Sequence, residues 1–266
     1  MVSTPPRPAA LLWDVDGTLA ETERDGHRVA FNRAFEACGL PWRWDDCYYG
    51  PLLRVSGGFE RLMHDMASRA DAPGSLEERA ALARAIHAKK NAYYAELVRS
   101  GAIPLRPGVM ALMRECRRHD RTMGITTTTS RANVDALLSV HLGPRWRDWF
   151  AVVVCGEDVE RKKPDPEVYA RAVAALGLSP HQALAIEDSP DGAAAANAAG
   201  VPVIVARSAY FAGTRIAGAL AVGPGLHERQ GWQPALQQQS DSPKTVGLKD
   251  LEAWWLLTQR APQSEP

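Results

Sequence analysis

After Pro104 the chain takes up one repeated texture, in which short apolar or β-branched runs alternate with Ala-rich runs. The apolar runs fall at residues 122–126, 152–154, 183–186 and 202–205, and helices are expected to begin near Pro107, Arg131, Pro166 and Pro190. Strands separated by helix-length segments pair in parallel, and helices then cover both faces of the sheet. One further run, Ala9-Ala-Leu-Leu-Trp-Asp-Val15, stands alone near the N-terminus and joins the same sheet. The expected fold is therefore α/β, a doubly wound parallel sheet with a Rossmann-like core.

Residues 21–101 have a different pattern. From Thr22 to Cys38 the apolar residues Val29, Ala30, Ala34, Phe35 and Cys38 recur at helical spacing, with Gly39 placed to end the helix. Trp42, Trp44, Tyr48 and Tyr49 form an aromatic group that no basic run accompanies, so it reads as a small core and not as a stacking platform for bases. Ser75-Leu-Glu-Glu78 has the form of a capping box, and a long helix is expected from there to about Ser100. This region is an all-helical insertion, a cap at 21–101. The core is then discontinuous, at 9–20 and 102–260, with flexible termini at 1–8 and 261–266. Between 213 and 245 the pattern is weak, and Gln237-Gln-Gln-Gln-Ser240 reads as a loop. From Val246 a strand edge and a closing helix are expected.

Lys plus Arg equals Asp plus Glu at 31 each, which argues against a nucleic-acid binder with a basic surplus. The four cysteines are scattered, without zinc spacing, and the first ten residues hold no apolar signal core. No stretch is long and apolar enough to span a bilayer. A cytoplasmic protein with reduced thiols follows, without membrane or nucleic-acid partners and expected as a monomer.

The chemistry gathers where strands end. Asp14-Val-Asp-Gly-Thr18 leaves the first strand, and two carboxylates one residue apart can serve as nucleophile and proton donor. Thr126 to Ser130 follows the second strand and offers hydroxyl and N–H groups for phosphate oxygens. Arg161-Lys-Lys-Pro164 offers a lysine just ahead of a helix, fit to neutralise a phosphoryl group. Ile186-Glu-Asp188 places two acids beside each other, a donor set that suits a hard cation such as Mg²⁺. In an open parallel sheet all four segments come to the same, carboxyl edge.

With these motifs in place, the chain resembles the haloacid dehalogenase superfamily from Leu11 to about Val205. Asp14, Asp16 and Thr18 look like its first motif. Thr127, or Thr126 in the alternative register, looks like its second, Lys163 like its third, and Glu187-Asp188 like its fourth. The resemblance implies Asp14 as nucleophile and Mg²⁺ ligand, and Asp16 as general acid/base whose carbonyl also meets the metal. It further implies Glu187 and Asp188 as metal ligands, and Thr127 and Lys163 as phosphoryl-binding residues. The helical insertion resembles the smaller cap of that superfamily. A finer likeness is to the CbbY-type xylulose-1,5-bisphosphate phosphatases of Rubisco operons. It is carried by Asp14 to Glu23, by Arg54-Val-Ser-Gly-Gly-Phe-Glu-Arg-Leu62 and by Thr127-Thr-Thr-Ser-Arg-Ala-Asn-Val134. It implies Glu21 as a sugar contact and Arg54 and Arg61 as candidates for the distal phosphate, though Phe59 stands where that group carries lysine.

The function these expectations describe is a Mg²⁺-dependent phosphoric monoester hydrolase of carbohydrate metabolism. Its substrate would be a small phosphorylated sugar, such as xylulose-1,5-bisphosphate, handled through an aspartyl-phosphate. A β-phosphoglucomutase-like mutase is the alternative enzyme, and a catalytically idle binding protein on the same fold is the alternative of another class.

Overall fold

The structure, a computed structural model, describes residues 6–55, 57–236 and 244–260. The expected loop from Gln237, the tail from Ala261 and Ser56 of the Arg54 stretch lie outside the described residues. Two compact units are present, one of residues 1–21 and 104–266 and one of residues 22–103.

The first unit is built on six parallel strands: β1 (Ala10–Trp13), β2 (Thr122–Thr126), β3 (Val152–Val154), β4 (Ala183–Glu187), β5 (Val203–Ala206) and β6 (Ala221–Gly223). Their spatial order is β3-β2-β1-β4-β5-β6. The order reverses between β1 and β4, which pair in register from Ala10–Ala183 to Trp13–Ile186. All four residues of β1 and all five of β4 are buried, as central strands covered on both faces must be. Helices α5 (Val109–Arg118), α6 (Arg131–Leu142), α7 (Glu167–Ala175), α8 (Pro190–Ala198) and α9 (Leu248–Arg260) complete the unit. Helices α7 and α8 pack on one another and on the sheet, while α9 lies on α5. Right-handed crossovers on either side of the reversal put the two sets of helices on opposite faces.

Two details depart from expectation. The sixth strand lies at 221–223, inside the stretch whose pattern was weak; three residues are too few to set up a period. The strand edge expected at Val246 is absent: Val246 and Gly247 lead directly into α9, where the Asp250 carboxylate accepts from the Gly247 N–H.

The second unit contains α1 (Arg28–Ala37), α2 (Asp46–Leu52), α3 (Gly58–Ser68) and α4 (Leu76–Arg99). Helix α1 follows a π-helical stretch at Thr22–His27, so the expected single helix has a widened first part. Ser75 and Glu78 cap α4 reciprocally, as their spacing requires. Phe31, Phe35, Trp44, Tyr49, Leu62 and Ile86 are buried without residual exposure, each contributing roughly 1.5–3 kcal/mol. Trp42 is also buried, whereas Tyr48 is 43% exposed.

Candidate active site

The reversal between β1 and β4 opens a crevice at their carboxyl ends, the place where ligands bind in open α/β sheets. Asp14, the first residue past β1, still donates its N–H to Ile186 O at 3.1 Å, so the sheet itself aims its side chain into that crevice. The chain then closes a tight loop, with Leu19 N–H bonded to Val15 O at 2.9 Å and Gly17 N–H to Ala20 O at 2.8 Å. Gly17 has φ +82°, and a Cβ there would run into the Asp188 carboxylate. Only glycine meets both demands, which explains the residue between Asp16 and Thr18.

Lys163 reaches the crevice from the segment before α7. Its ammonium donates to Asp14 Oδ1 at 2.6 Å, Glu187 Oε1 at 2.6 Å and Thr126 O at 2.9 Å. Burial opposes charge on this amine, but Asp14 and Glu187 outweigh it and hold its pKa well above the ordinary value. The acids respond in the opposite sense. Burial, then the charge of Asp14, pushes Glu187 up to about 7 despite the attraction of Lys163. Burial followed by Asp14 and Glu187 raises Asp188 well above the carboxylate range, against a hydrogen bond from Ser208 and the charge of Arg106.

Asp14, Glu187 and Asp188 each offer an oxygen within 4.8 Å of the others, and all three are buried. Three hard oxygen donors, only two of them bonded to the ammonium, leave negative charge that a small divalent cation would balance, so the residues present fit Mg²⁺. Asp16 is half-buried and its carboxylate stands outside this group. Thr126 and Thr127 are both buried but differ in use. The Thr126 hydroxyl faces back to Trp13 O at 3.5 Å and its carbonyl holds Lys163, whereas the Thr127 hydroxyl accepts from Thr129 N–H at 3.2 Å where the loop begins. Thr126 thus turns back to the sheet, and Thr127 opens the loop. Glu21 accepts from Ala209 N–H at 3.2 Å and pairs with Arg106 Nε at 3.2 Å.

Two of the expected residues belong to the helical unit. Arg54 is exposed. Arg61 is buried, and its guanidinium donates to Leu52 O at 3.1 Å and to the Tyr49 hydroxyl at 2.6 Å, with Glu23 at 3.5 Å. That anchoring gives Arg61 a structural task within its own unit.

Sequence reasoning passed over Arg106, Ser208 and Tyr169. Arg106 donates to Gly17 O, to Ala206 O at 2.8 Å and to Arg207 O at 2.6 Å, tying the loop after β1 to the loop after β5. Its position between two prolines gave no sign of this, because its partners are backbone carbonyls. Tyr169, on the first turn of α7, reads in sequence as a core aromatic, and only its hydroxyl bond to Glu187 marks it.

Comparison with known proteins agrees with this geometry. A profile of the haloacid dehalogenase-like hydrolases matches residues 8–200. The chain belongs to the haloacid dehalogenase-like hydrolase family. Among its relatives it is 45% identical to the plasmid-encoded protein CbbY of Cupriavidus necator over 219 residues, 82% of this chain and 85% of the relative. It is also 45% identical to the protein CbbY of Rhodobacter capsulatus over 204 residues, covering 77% of this chain and 87% of that one. The crystal structure of CbbY from Rhodobacter sphaeroides in complex with phosphate aligns with a TM-score of 0.73 at 38% identity, over 84% of this chain and 97% of that one. A mutant of the same protein in complex with xylulose-(1,5)bisphosphate aligns with a TM-score of 0.72 at 37% identity, with the same coverage. Residues beyond 200, including β6 and α9, fall outside the family match.

Proposed function

We propose that this enzyme is a Mg²⁺-dependent phosphatase that removes phosphate from a small sugar bisphosphate, xylulose-1,5-bisphosphate being the leading candidate. The observation that carries the reading is the meeting of Lys163 Nζ with Asp14 Oδ1 and Glu187 Oε1, both at 2.6 Å, beside Asp188 at the sheet reversal. The sugar bisphosphate rests on the CbbY relatives, one of which binds that compound.

In this reading Asp14, Glu187, Asp188 and the carbonyl of Asp16 would hold Mg²⁺, which when bound would supply positive charge for the phosphoryl oxygens. An Asp14 carboxylate oxygen attacks phosphorus, and the ester P–O bond breaks as the new P–O bond to Asp14 forms. Asp16 gives its proton to the departing sugar oxygen. Lys163 and the Thr127 hydroxyl hold the equatorial oxygens, where charge spreads in the transition state. Asp16, now a carboxylate, takes a proton from water as that water attacks the aspartyl-phosphate. Inorganic phosphate leaves and Asp14 is restored.

Residues 22–103 are the cap of this reading, with exposed Arg54 as the side chain to examine for a second phosphate. The cytoplasm is the compartment that suits four free cysteines. No described helix is long and apolar enough to cross a membrane. Structures of β-phosphoglucomutases match at 21–22% identity, a likeness of fold alone, so nothing favours the mutase reading.

The test is a panel of sugar mono- and bisphosphates ranked by kcat/KM with Mg²⁺, with free phosphate as the readout. Xylulose-1,5-bisphosphate is expected at the top, with phosphate released without a bisphosphate activator. A ranking far below simple monophosphates would overturn the substrate, and transfer of phosphate to a second sugar hydroxyl would overturn the hydrolase.

A further inference from the structure

The core beneath the site contains a hydroxyl that packing does not need. The Tyr169 side chain is buried without residual exposure, in the cluster formed by Leu12, Val168, Ala172 and Ala185. Phenylalanine would fill the same space without placing a hydroxyl in an apolar surrounding, which costs stability unless the group is bonded. Here it is bonded: the phenol donates to Glu187 Oε1, the same oxygen that accepts from Lys163 Nζ at 2.6 Å. The ring also lies beside the ammonium, with Lys163 Nζ 5.3 Å from its centroid. The other oxygen of Glu187 faces the Asp188 N–H at 3.4 Å, and Gly192 gives the carboxylate its seat, since a Cβ there would collide with it.

We propose that Tyr169 is a positioning residue: its hydroxyl fixes the Glu187 carboxylate, and through it holds the Lys163 ammonium on Asp14. The inference rests on the reading of Lys163 as the group that neutralises the phosphoryl charge. Lys163 has three acceptors, namely Asp14 Oδ1, Thr126 O and Glu187 Oε1. The Thr126 carbonyl is fixed by the sheet, so the Glu187 carboxylate is the acceptor whose rotation would redirect the ammonium. The Tyr169 hydroxyl opposes that rotation from inside the core. Oε1 takes both donors, while Oε2 is steadied by the Asp188 N–H and the close seat at Gly192, so the metal-facing oxygen has supports other than Tyr169.

Tyr169→Phe removes one oxygen and keeps the ring against the ammonium. With Mg²⁺-loaded enzyme and p-nitrophenyl phosphate, kcat should fall about tenfold, with KM changing by less than about twofold. Calorimetric titration of the substrate-free protein with MgCl₂ should give a dissociation constant within about twofold of the unaltered enzyme. An unchanged kcat would overturn the proposal. So would a loss of Mg²⁺ affinity in step with kcat, because the hydroxyl would then act on the metal site. Asp14→Asn, assayed in parallel, separates the two levels: turnover by that variant would remove the underlying site reading, whereas an inactive Asp14→Asn beside a fully active Tyr169→Phe would remove only the role of Tyr169.

Discussion

In the helical unit the half-buried carboxylate of Glu23 faces several bases, whereas at the sheet edge three carboxylates stand together and two of them share one ammonium. Burial alone would raise Glu23, yet Arg61, His27, the Tyr49 hydroxyl and Lys90 outweigh it and hold it below its ordinary value. His27 is itself pushed down to about 3, by burial first and by Lys90 second, and so stays neutral. That cluster is balanced by the chain's own side chains. At the carboxyl ends of β1 and β4 burial raises Glu187 and Asp188 and Asp14 adds like charge to both, while Lys163 answers only part of it at Glu187 and Arg106 only part of it at Asp188. A fold retains such an unbalanced group at a cost in stability, and perturbed carboxylates in a cleft mark a candidate functional site. Buried charge is thus no guide to function until its balance is known.

The largest effect that would break this contrast is at Asp14. Asp14→Asn should lower Mg²⁺-dependent phosphate release by at least about a thousandfold, on the order of 4 kcal/mol in barrier, while the protein stays folded. A variant that keeps most of its turnover would leave the sheet edge without a nucleophile. Next comes Arg61→Leu in the helical unit. It removes a buried guanidinium that donates to Leu52 O and Tyr49 and faces the half-buried Glu23, and should cost about 2 kcal/mol of stability, read as a lowered urea midpoint. An unchanged midpoint together with a raised KM for a sugar bisphosphate would instead make Arg61 a substrate residue, and the balance in that unit would need another source.

The same contrast explains what could be read before the structure. Asp14, Lys163, Glu187 and Asp188 come from three distant segments, yet each lies at or after the end of a recognisable strand, and the parallel-sheet rule alone brings strand ends to one edge. The order β3-β2-β1-β4-β5-β6 and the sixth strand were beyond reach, since Ala221–Gly223 is too short to show a pattern. Arg106 was hidden because it bonds to carbonyls, which every residue has. Arg61 was noticed as a charge, but its pairing with Glu23 and Tyr49 depends on how α2 and α3 pack, and packing is not written in any local spacing.

The smallest effect is also the most discriminating, because the two regions should respond to pH with opposite signs. The folded-state pKa of Glu187 is raised from 4.5 to about 7, so the folded protein holds that proton more tightly than the unfolded chain. Its contribution is full below 4.5 and is lost as pH rises through about 7. His27 is depressed from 6.5 to about 3, so its contribution is full above 6.5 and is lost as pH falls toward 3. Each slope is about 1 kcal/mol per pH unit at most. Amide hydrogen exchange on the metal-free protein at pH 5 and pH 6.5 reads the units separately, since each opens with its own free energy. Between those values the strands around β4 should lose protection and the α1–α4 helices should gain it. Saturating Mg²⁺ should abolish the first trend by answering the carboxylates and leave the second untouched. Parallel slopes in both units, or a Mg²⁺ effect on the helices alone, would mean that the charge imbalance has been assigned to the wrong place.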